Sequence, residues 1–534
     1  MNSYSIMERP IVTVKEGKLQ GIFEDNVLGS RYLAFKGIPF AAPPVNELRF
    51  KDPEPPASWE GIRDSSKNGD ICIQWQQLPI EAIIGSEDCL YLNVYIPYNI
   101  YRTTQNPVMV WIHGGAYLIG NGNDIATRPD YLITKDIILV SINYRLGALG
   151  FLNIGHEVAS GNQGLKDQVA ALKWIKENIE AFGGDPNNIT IFGISAGGSS
   201  VHLLMLSPLS KGLFHKAILQ SGIATCPWAL IENVEANTFK LASIFGNKSK
   251  DPREVIEFLQ TVPAAEIVNA QYKVLTPQEA RICNIPFGPT IDEKSKRSFL
   301  PCPLSQLLDN DNDIPIIVGF TSHEYIMFFK DTSEEFLNAK YADIELLLKK
   351  LTNSQDSEKI TRLTEQVKQH YFHNKSFTKE SIPSFVQFLS DLWFSIPVKN
   401  FVNNQRKKKQ SPIYHYNFSY VGNEMTITKL LLNNLPMIGA SHTDDMSYLF
   451  YQPKCKVDDP KPPAIGTKDR EISEILTKMW ANFAKTGNPT PVIDEDISTI
   501  WLPATADSFN YLDIGDTLQL LTITDNGIFG DLDM

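Results

Sequence analysis

The chain contains 534 residues, of which 43% are hydrophobic and 21% are charged, and its formal net charge at pH 7 is −12. Such a composition is typical of a folded globular protein and excludes an intrinsically disordered one. An acidic surface repels phosphate backbones, so we expect no nucleic-acid partner.

Other features of the sequence concern its compartment and surface. The sequence contains no window of about 18 apolar residues, so no membrane span is predicted, and residues 1–12 lack the apolar run of a secretory signal. We expect a cytoplasmic protein if Met1 is the natural start, and a secreted one if a leader was removed. Cys72 and Cys89 are close enough in sequence to close one loop. The basic run at residues 406–409 is interpreted as a solvated loop or helix end, with a membrane or partner patch as the alternative.

The order of the predicted elements indicates the fold class. In the first hundred residues, short strands are predicted at Ile11–Val14, Leu33–Ile38 and Leu90–Ile96. Further strands are predicted at Val108–Ile112, Ile137–Tyr144, Ile189–Phe192, Lys216–Leu219 and Ile314–Val318, and helices at Leu165–Phe182, Ser199–Leu206 and Ile472–Ala484. This alternation is typical of an α/β protein with a central, mostly parallel sheet and helices on both faces. Residues 233–281 and 333–410 are predicted to form helical cap insertions, and residues 1–534 to form one domain.

The segment Gly193–Gly197 has the pattern Gly-x-Ser-x-Gly and lies between a predicted strand and a predicted helix. The pattern alone also occurs by chance in glycine-rich turns, but this context favours a nucleophile turn. Its glycines let the chain reverse sharply and expose Ser195, and the helix N-terminus directs amide groups toward the reacting oxygen. We therefore predict that Ser195 is a catalytic nucleophile.

A second glycine-rich segment, His113–Ala116, follows the predicted strand Val108–Ile112. An oxyanion hole needs backbone N–H groups that approach the substrate carbonyl closely, which small residues allow. An ordinary turn after a strand is the alternative, and the place of this segment upstream of the nucleophile turn argues against it. We assign the donors as the amides of Gly115, Ala116 and Ala196.

Longer stretches around these motifs resemble the type-B carboxylesterases, which include cholinesterases, insect esterases and mammalian liver carboxylesterases. The matching segments are residues 182–197, 87–95, 143–147 and 484–489, and the similarity extends from about Val12 to Leu520. The resemblance is closest to the insect α-esterases. It implies an α/β-hydrolase fold and hydrolysis of small carboxylic esters, with no cofactor and no metal.

The α/β-hydrolase order of catalytic residues is serine, acid and then histidine. The family has a glutamate five residues after a glycine, and Glu324 follows Gly319 at this distance. His323 and Tyr325 replace the neighbours usual in the family, which loosens the match. The pair His323-Glu324 also begins like a zincin helix, but Met327 stands where the second histidine is needed, so a metal site is rejected.

Four histidines follow Glu324 in the chain: His370, His373, His415 and His442. The segment Gly439–Asp445 around His442 resembles the histidine loop of the family, so we assign His442 as the general base and Glu324 as the acid that orients it. His370 and His373 are three residues apart and could form a ligand pair, but surface positions on a helix are favoured. His202 is predicted to be a packed core histidine.

The resemblance also suggests how the substrate is bound. In the family, a tryptophan after the next strand shapes the acyl pocket, and Trp228 matches its position. We predict that Trp228 limits the size of the acyl group and that His113 and Tyr117 border the same pocket; a plain core tryptophan is the alternative. The loop Cys72–Cys89 is shorter than the cholinesterase loop that binds choline, so acetylcholine is not expected as a substrate.

Ile194 departs from the family, which usually has an acidic residue or glutamine before the serine. An apolar neighbour removes a negative charge that would favour the imidazolium, so we expect slower acylation or an altered pH profile. Glutamine is usual there in juvenile hormone esterases, so Ile194 also argues against that assignment. The favoured function is a general carboxylesterase that detoxifies xenobiotic or lipophilic esters. The alternatives are a slow-turnover sequestering esterase and a catalytically silent binding relative.

Overall fold

The computed structural model describes residues 8–76, 81–283, 285–309, 312–329, 333–352, 354, 356–373, 379–432 and 439–524. The strands in these residues are β1 Ile11–Val14, β2 Gly17–Gln20, β3 Ile22–Asp25, β4 Arg31–Pro39, β5 Ile62–Asp64, β6 Gln74–Gln76, β7 Ala82–Ile84, β8 Tyr91–Pro97, β9 Asn106–Ile112, β10 Ile138–Ile142, β11 Asn153–His156, β12 Ala159–Ser160, β13 Gly184–Ile194, β14 Lys216–Gln220, β15 Ile316–Thr321, β16 Ile413–Phe418, β17 Asn510–Ile514 and β18 Leu518–Thr522.

The α-helices in the same residues lie between and after these strands. They are α1 Gly147–Phe151, α2 Gln163–Asn178, α3 Ala196–Leu206, α4 Val234–Ile244, α5 Pro252–Thr261, α6 Ala264–Ala270, α7 Pro277–Ile282, α8 Leu304–Leu308, α9 Glu334–Ala342, α10 Ile344–Thr352, α11 Ser357–Phe372, α12 Ile382–Ser390, α13 Ile396–Gln405, α14 Ile427–Leu431, α15 Met446–Leu449 and α16 Lys468–Thr486. A short 3₁₀-helix spans Glu324–Phe328, and a π-helical turn, Asp391–Ser395, joins α12 to α13.

One large sheet organises the molecule, with the strand order β18-β17-β16-β15-β14-β13-β9-β10-β8-β4-β3. In this order, every pair of neighbouring strands between β17 and β10 is parallel. The β17–β18 pair at one edge and the pairs from β10 to β3 at the other are antiparallel. This arrangement confirms the predicted α/β class with a mostly parallel centre. The helix-rich stretches after β14 and after β15 also lie where the sequence predicts them.

The sheet is covered on both faces, which explains why its central strands are apolar throughout. Val108, Val110 and Ile112 of β9 belong to one buried apolar cluster, whereas Met109 and Trp111 belong to another. Successive side chains of a strand point to opposite faces, so both faces of β9 lie in a core. Every residue of β10, β14 and β15 is buried in the same way.

Several predicted boundaries shift because of local backbone geometry. The predicted helix Leu165–Phe182 divides into α2 and a 3₁₀ turn, Ile179–Phe182, which ends where Gly183 adopts φ 83°. The predicted helix Ser199–Leu206 starts three residues earlier, at Ala196, directly after the predicted nucleophile. Within the described part of the chain, no helix is long and apolar enough to cross a membrane.

The basic run at residues 406–409 lies at a helix end, as predicted. Arg406 follows α13, donates hydrogen bonds to the carbonyl oxygens of Thr505 and Ala506, and lies 5.2 Å from the centroid of the Phe509 ring. Lys408 pairs with Asp309. These internal contacts use charges that a partner patch would need.

The parallel strands position the segments of interest. Because β9, β13, β14 and β15 run in parallel, their carboxyl ends meet at one edge of the sheet, which is where α/β proteins bind their ligands. The segments that leave these strands contain the predicted oxyanion amides, Ser195, Trp228 and Glu324.

Candidate active site

Ser195 lies at a sharp turn between β13 and α3. Its backbone has φ 58° and ψ −126°, a conformation that a non-glycine residue adopts only at a cost of about 1–3 kcal/mol. The Ser195 N–H donates to the carbonyl of Gln220 at 2.8 Å, and its own carbonyl accepts from the Ser199 N–H at 2.8 Å. Both sides of the turn are therefore anchored, and the side chain stays partly exposed.

The glycines of the turn are required by close backbone packing. A Cβ atom on Gly197 would lie 2.1 Å from the carbonyl oxygen of Ile112, and one on Gly193 would lie 2.6 Å from the backbone of Gly197. A methyl group at either position would collide with backbone that cannot move aside. The pattern Gly-x-Ser-x-Gly is thus a packing requirement of this strand–helix junction.

The segment after β9 lies directly against the nucleophile turn. A Cβ on Gly114 would be 2.6 Å from the carbonyl oxygen of Ile194 and 3.1 Å from Cβ of Ser195. Gly115 and Ala116 both have positive φ, 113° and 55°, which turns the peptide units away from a regular strand.

The three amides predicted to form the oxyanion hole are available for a ligand. Among the described residues, the N–H groups of Gly115, Ala116 and Ala196 donate no hydrogen bond to another protein atom. Ala196 is fully buried, and Gly115 and Ala116 are partly buried. A group of free amides beside a strained serine suits an anion that forms during a reaction.

Glu324 and His442 are in direct contact although they lie 118 residues apart in the chain. Nδ1 of His442 is 2.5 Å from Oε2 of Glu324, and the other carboxylate oxygen accepts from the Thr321 N–H at 2.7 Å. Both side chains are almost fully buried, with exposed fractions of 1% and 0%. A carboxylate on Nδ1 fixes the tautomer in which Nε2 can accept a proton.

Aromatic contacts connect His442 with the region of Ser195. The Phe394 ring lies 4.9 Å from the His442 ring and 5.8 Å from the Trp228 ring. A Cβ on Gly222 would be 3.0 Å from Trp228 and 2.2 Å from the carbonyl oxygen of Ser195. The three predicted catalytic side chains therefore belong to one region of the molecule.

Three aromatic rings form an apolar wall beside the imidazole. Trp228 is nearly buried, and its Nε1–H donates to the Trp393 carbonyl at 3.1 Å. Phe328 stacks on Phe394 at 6.2 Å and lies 5.3 Å from the ring of His442. Phe328 is 40% exposed, so this wall extends from the imidazole to the surface.

His113 and Tyr117, predicted to border the substrate pocket, are more deeply buried than that role suggests. The His113 ring stacks on Tyr144 at 4.4 Å, and burial lowers the pKa of His113 to about 4. Tyr117 is fully buried and packs edge-on against Phe151. Their place on a pocket wall stays a prediction.

A buried acid adjoins the histidine loop. Oδ2 of Asp445 accepts a hydrogen bond from the side-chain Nε2 of Gln220 at 2.8 Å. The backbone carbonyl of the same glutamine accepts from the Ser195 N–H. Burial is the main reason that the pKa of Asp445 rises to about 7, and the nearby Glu324 adds to the shift. Asp445 therefore changes charge near neutral pH, close to the imidazole.

The structure also shows the surroundings of the other histidines and of the two cysteines that the sequence analysis considered. His202 is buried against Phe401, with Nδ1 accepting from the Ala224 N–H, as expected for a core histidine. His370 and His373 are exposed at the end of α11. Cys72 and Cys89 form a disulfide, which settles the pairing that the sequence left open.

Phe328, Phe394 and Gln220 are site residues that the sequence analysis missed. Phe328 follows Glu324 by four residues, one turn of a helix, and this spacing could have indicated it. Phe394 comes from the distant π-helical turn, and no local pattern predicts its contact with His442.

Comparison with known proteins identifies the family of the chain. The sequence matches the carboxylesterase family over residues 8–526. It is 36% identical to esterase E4 of Myzus persicae, over 96% of this chain and 92% of that protein, and 36% identical to the juvenile hormone esterase of Tribolium castaneum, over 90% and 84%. The crystal structure of the juvenile hormone esterase from Manduca sexta, with OTFP covalently attached, superposes with a TM-score of 0.84 at 27% identity and covers 97% of this chain and 98% of that one.

The family match spans nearly the whole chain, and the large sheet has the architecture of the solved relative. The chain therefore belongs to the carboxylesterase family and is a carboxylic ester hydrolase of the α/β-hydrolase fold.

Proposed function

We propose that the chain hydrolyses esters through a triad of Ser195, His442 and Glu324 and an acyl-enzyme intermediate. The observation that supports this most strongly is the 2.5 Å contact between His442 and Glu324, in the same region as a serine with φ 58°. A histidine oriented by a carboxylate is the general base that activates a serine hydroxyl.

Each residue has a defined part in the reaction. His442 Nε2 takes the proton of the Ser195 hydroxyl as its oxygen attacks the ester carbonyl, and Glu324 stabilises the resulting imidazolium. The imidazolium then protonates the departing alcohol. Water attacks the acyl-enzyme with His442 again as the base, and the acid product and free Ser195 are released.

The amides of Gly115, Ala116 and Ala196 bind the oxyanion in both tetrahedral intermediates. Their free N–H groups and the position of Gly114 against Ser195 support this assignment. The loss of one such donor typically costs about 3 kcal/mol of transition-state stabilisation.

We propose small lipophilic or xenobiotic esters as substrates and detoxification as the role. The wall formed by Trp228, Phe394 and Phe328 is aromatic, so it favours an apolar group next to the reacting carbonyl. Trp228 is the residue assigned to limit acyl size. A set of 4-nitrophenyl esters from acetate to decanoate tests this, because Trp228→Ala should shift the preference toward longer acyl chains while wild-type favours short ones.

Pre-steady-state kinetics with 4-nitrophenyl acetate separates the proposed enzyme from its alternatives. Rapid turnover after acylation supports a general esterase. A stoichiometric burst followed by slow release indicates a sequestering esterase, an alternative that Ile194 beside the nucleophile leaves open. Neither burst nor turnover indicates a binding protein and contradicts the proposal.

Glu324→Gln is the sharpest single test of the triad. The amide keeps the shape of the side chain but can hold the wrong histidine tautomer, so kcat should fall by about 10³- to 10⁴-fold with little change in folding. Asp292→Asn is a suitable folding control, because Asp292 is a buried carboxylate in a different hydrogen-bond network. Unchanged kcat in Glu324→Gln contradicts the triad.

The compartment and the domain organisation also stay proposals. A cytoplasmic location follows from the sequence only if Met1 is the natural start. The Cys72–Cys89 disulfide favours the secreted alternative, because disulfides persist in oxidising compartments. We further propose that residues 1–534 unfold as one domain, which a single calorimetric transition would support.

A further inference from the structure

The two loops that supply Glu324 and His442 are joined by a set of hydrogen bonds. We name residues 321–327 the acid loop and residues 439–443 the histidine loop. Two of the bonds between them are backbone to backbone: the His323 N–H donates to the Ala440 carbonyl at 2.8 Å, and the His442 N–H donates to the Glu324 carbonyl at 3.3 Å. The loops thus run beside each other as a short irregular ladder.

Serine side chains supply two further bonds of this ladder, one from each loop. Oγ of Ser322, in the acid loop, accepts from the Ala440 N–H at 3.1 Å. Oγ of Ser441, in the histidine loop, accepts from the Met327 N–H at 3.0 Å. Each hydroxyl therefore binds backbone on the opposite loop, and on the acid loop the two bonded residues lie on either side of Glu324 in sequence.

Both hydroxyls are themselves oriented by neighbours. Ser322 Oγ lies 3.0 Å from Nδ1 of the adjacent His323. Ser441 is fully buried, accepts a second bond from the Thr428 hydroxyl at 3.0 Å, and donates its N–H to Asp444 at 2.8 Å. A buried hydroxyl with this many partners has a single position.

The loops also touch through His323 and Gly439. A Cβ on Gly439 would lie 1.9 Å from Nδ1 of His323. The imidazole therefore packs on the bare backbone at the start of the histidine loop. A side chain at position 439 would push the loops apart.

We propose that Ser322 and Ser441 are positioning residues that hold the histidine loop against the acid loop, so that the His442 imidazole stays seated on the Glu324 carboxylate during catalysis. This inference rests on the proposed triad. The two loops come from distant parts of the chain, so the contact depends on bonds between them. A small misplacement of a catalytic group costs far more rate than stability.

The test compares Ser441→Ala, Ser322→Ala and the double variant with wild-type in steady-state hydrolysis of 4-nitrophenyl acetate across the pH range. Loss of either bond should lower kcat by about five- to tenfold with little change in KM. The acid limb of the kcat/KM profile should shift to lower pH, because an imidazolium that is held less closely by a carboxylate loses its proton more easily. Ser441→Thr keeps the acceptor oxygen and should restore most of the rate.

Ser473→Ala is the matched control. Ser473 is a buried serine of α16 whose hydroxyl binds the Tyr448 carbonyl at 2.9 Å, and it should lose some thermal stability but keep kcat and the pH profile. If Ser441→Ala and Ser322→Ala behave like this control, with wild-type kcat and an unmoved acid limb, the positioning role is overturned. If Ser441→Ala does not fold, Ser322→Ala decides alone, since its side chain is only half-buried.

Failure of the inference and failure of the proposed triad give different results. If only the positioning role is wrong, Ser195→Ala is inactive, whereas Ser322→Ala and Ser441→Ala turn over at the wild-type rate. If the triad itself is wrong, Ser195→Ala or His442→Ala retains wild-type turnover.

Discussion

The nucleophile turn and the histidine loop are fixed by different kinds of force. The turn around Ser195 is held by backbone packing: neighbouring glycines bring carbonyl groups so close that no side chain fits. The histidine loop is held to the acid loop by two backbone hydrogen bonds and by the side chains of Ser322 and Ser441. One region is specified within five consecutive residues, and the other by residues 118 positions apart.

This difference explains why the two regions should tolerate change differently. Backbone collisions cannot relax without moving a central strand, so substitutions in the turn should affect folding. A lost hydroxyl leaves the chain path intact, so substitutions in the histidine loop should affect rate.

Removing the nucleophile tests the reactive group of the turn without disturbing its backbone. Ser195→Ala should lower kcat for 4-nitrophenyl acetate by at least about 10⁴-fold, because the members of a triad act as a unit. Its thermal stability should equal that of wild-type, since the substitution keeps the two backbone hydrogen bonds that anchor the turn. Turnover within tenfold of wild-type would contradict the nucleophile assignment.

Adding one methyl group tests the backbone packing of the turn. Gly197→Ala places Cβ 2.1 Å from the Ile112 carbonyl oxygen, so we expect a loss of more than about 3 kcal/mol in the free energy of unfolding, or no soluble protein. The control is Gly246→Ala, where the backbone has φ 95° but no atom lies within 4 Å of the new Cβ, and which should cost only about 1 kcal/mol. Equal effects of the two substitutions, measured by denaturant unfolding, would refute the packing argument.

The buried acid beside the histidine loop should make stability depend on pH. Burial raises the pKa of Asp445 from 3.8 to about 7, so the folded protein binds its proton more tightly than the unfolded chain. Binding of this proton contributes roughly 2–4 kcal/mol to the free energy of unfolding. This contribution is complete below about pH 4 and is lost as the pH rises through about 7. Asp445→Asn cannot lose a proton, so its melting temperature relative to wild-type should increase between about pH 5 and pH 8. A constant difference over that range would contradict the assigned titration.

The aromatic wall should control acyl selectivity. Phe394→Ala removes the ring between Trp228 and His442, so the ratio of kcat/KM for butyrate to that for acetate should rise about tenfold. The control is Phe401→Ala, which removes a buried ring of α13 that packs on His202 and should leave the ratio unchanged. An unchanged ratio in Phe394→Ala would remove this ring from the pocket.

Restoring a charge beside the nucleophile should have the smallest effect. Ile194→Glu places a carboxylate near the imidazolium, so the acid limb of kcat/KM should move to higher pH and acylation should accelerate a few-fold. Ile194 is almost fully buried, so Ile194→Gln serves as the control for polarity without charge. Identical pH profiles for the two variants would show that the missing charge has no catalytic consequence.

The parts of this molecule that local patterns govern were predictable. Seven strands of the large sheet, the nucleophile turn and the core position of His202 follow from periodicity, glycine spacing and chain order. The strands β3, β16, β17 and β18 of that sheet were not predicted. Family resemblance added Glu324 and His442, which no local rule connects. The boundaries shifted where backbone geometry intervened, as at Gly183, because a left-handed residue ends a helix more sharply than hydrophobic spacing indicates.

The contacts that complete the site were not predictable from one sequence. Trp228 donates to the carbonyl of Trp393, 165 residues away, and this bond anchors the π-helical turn that presents Phe394. Ser322 and Ser441 look like ordinary loop serines until the loops are brought together. Such contacts depend on tertiary packing, and the spacing of residue types in a sequence does not contain that information.

The most direct test of the central claim is chemical. Diethyl 4-nitrophenyl phosphate transfers its phosphoryl group to an activated serine and releases one equivalent of 4-nitrophenolate, and peptide mass spectrometry then locates the adduct. We expect stoichiometric labelling of Ser195 in the wild-type protein and very slow labelling in His442→Ala. Labelling of a different residue, or equal rates in the two proteins, would contradict this expectation.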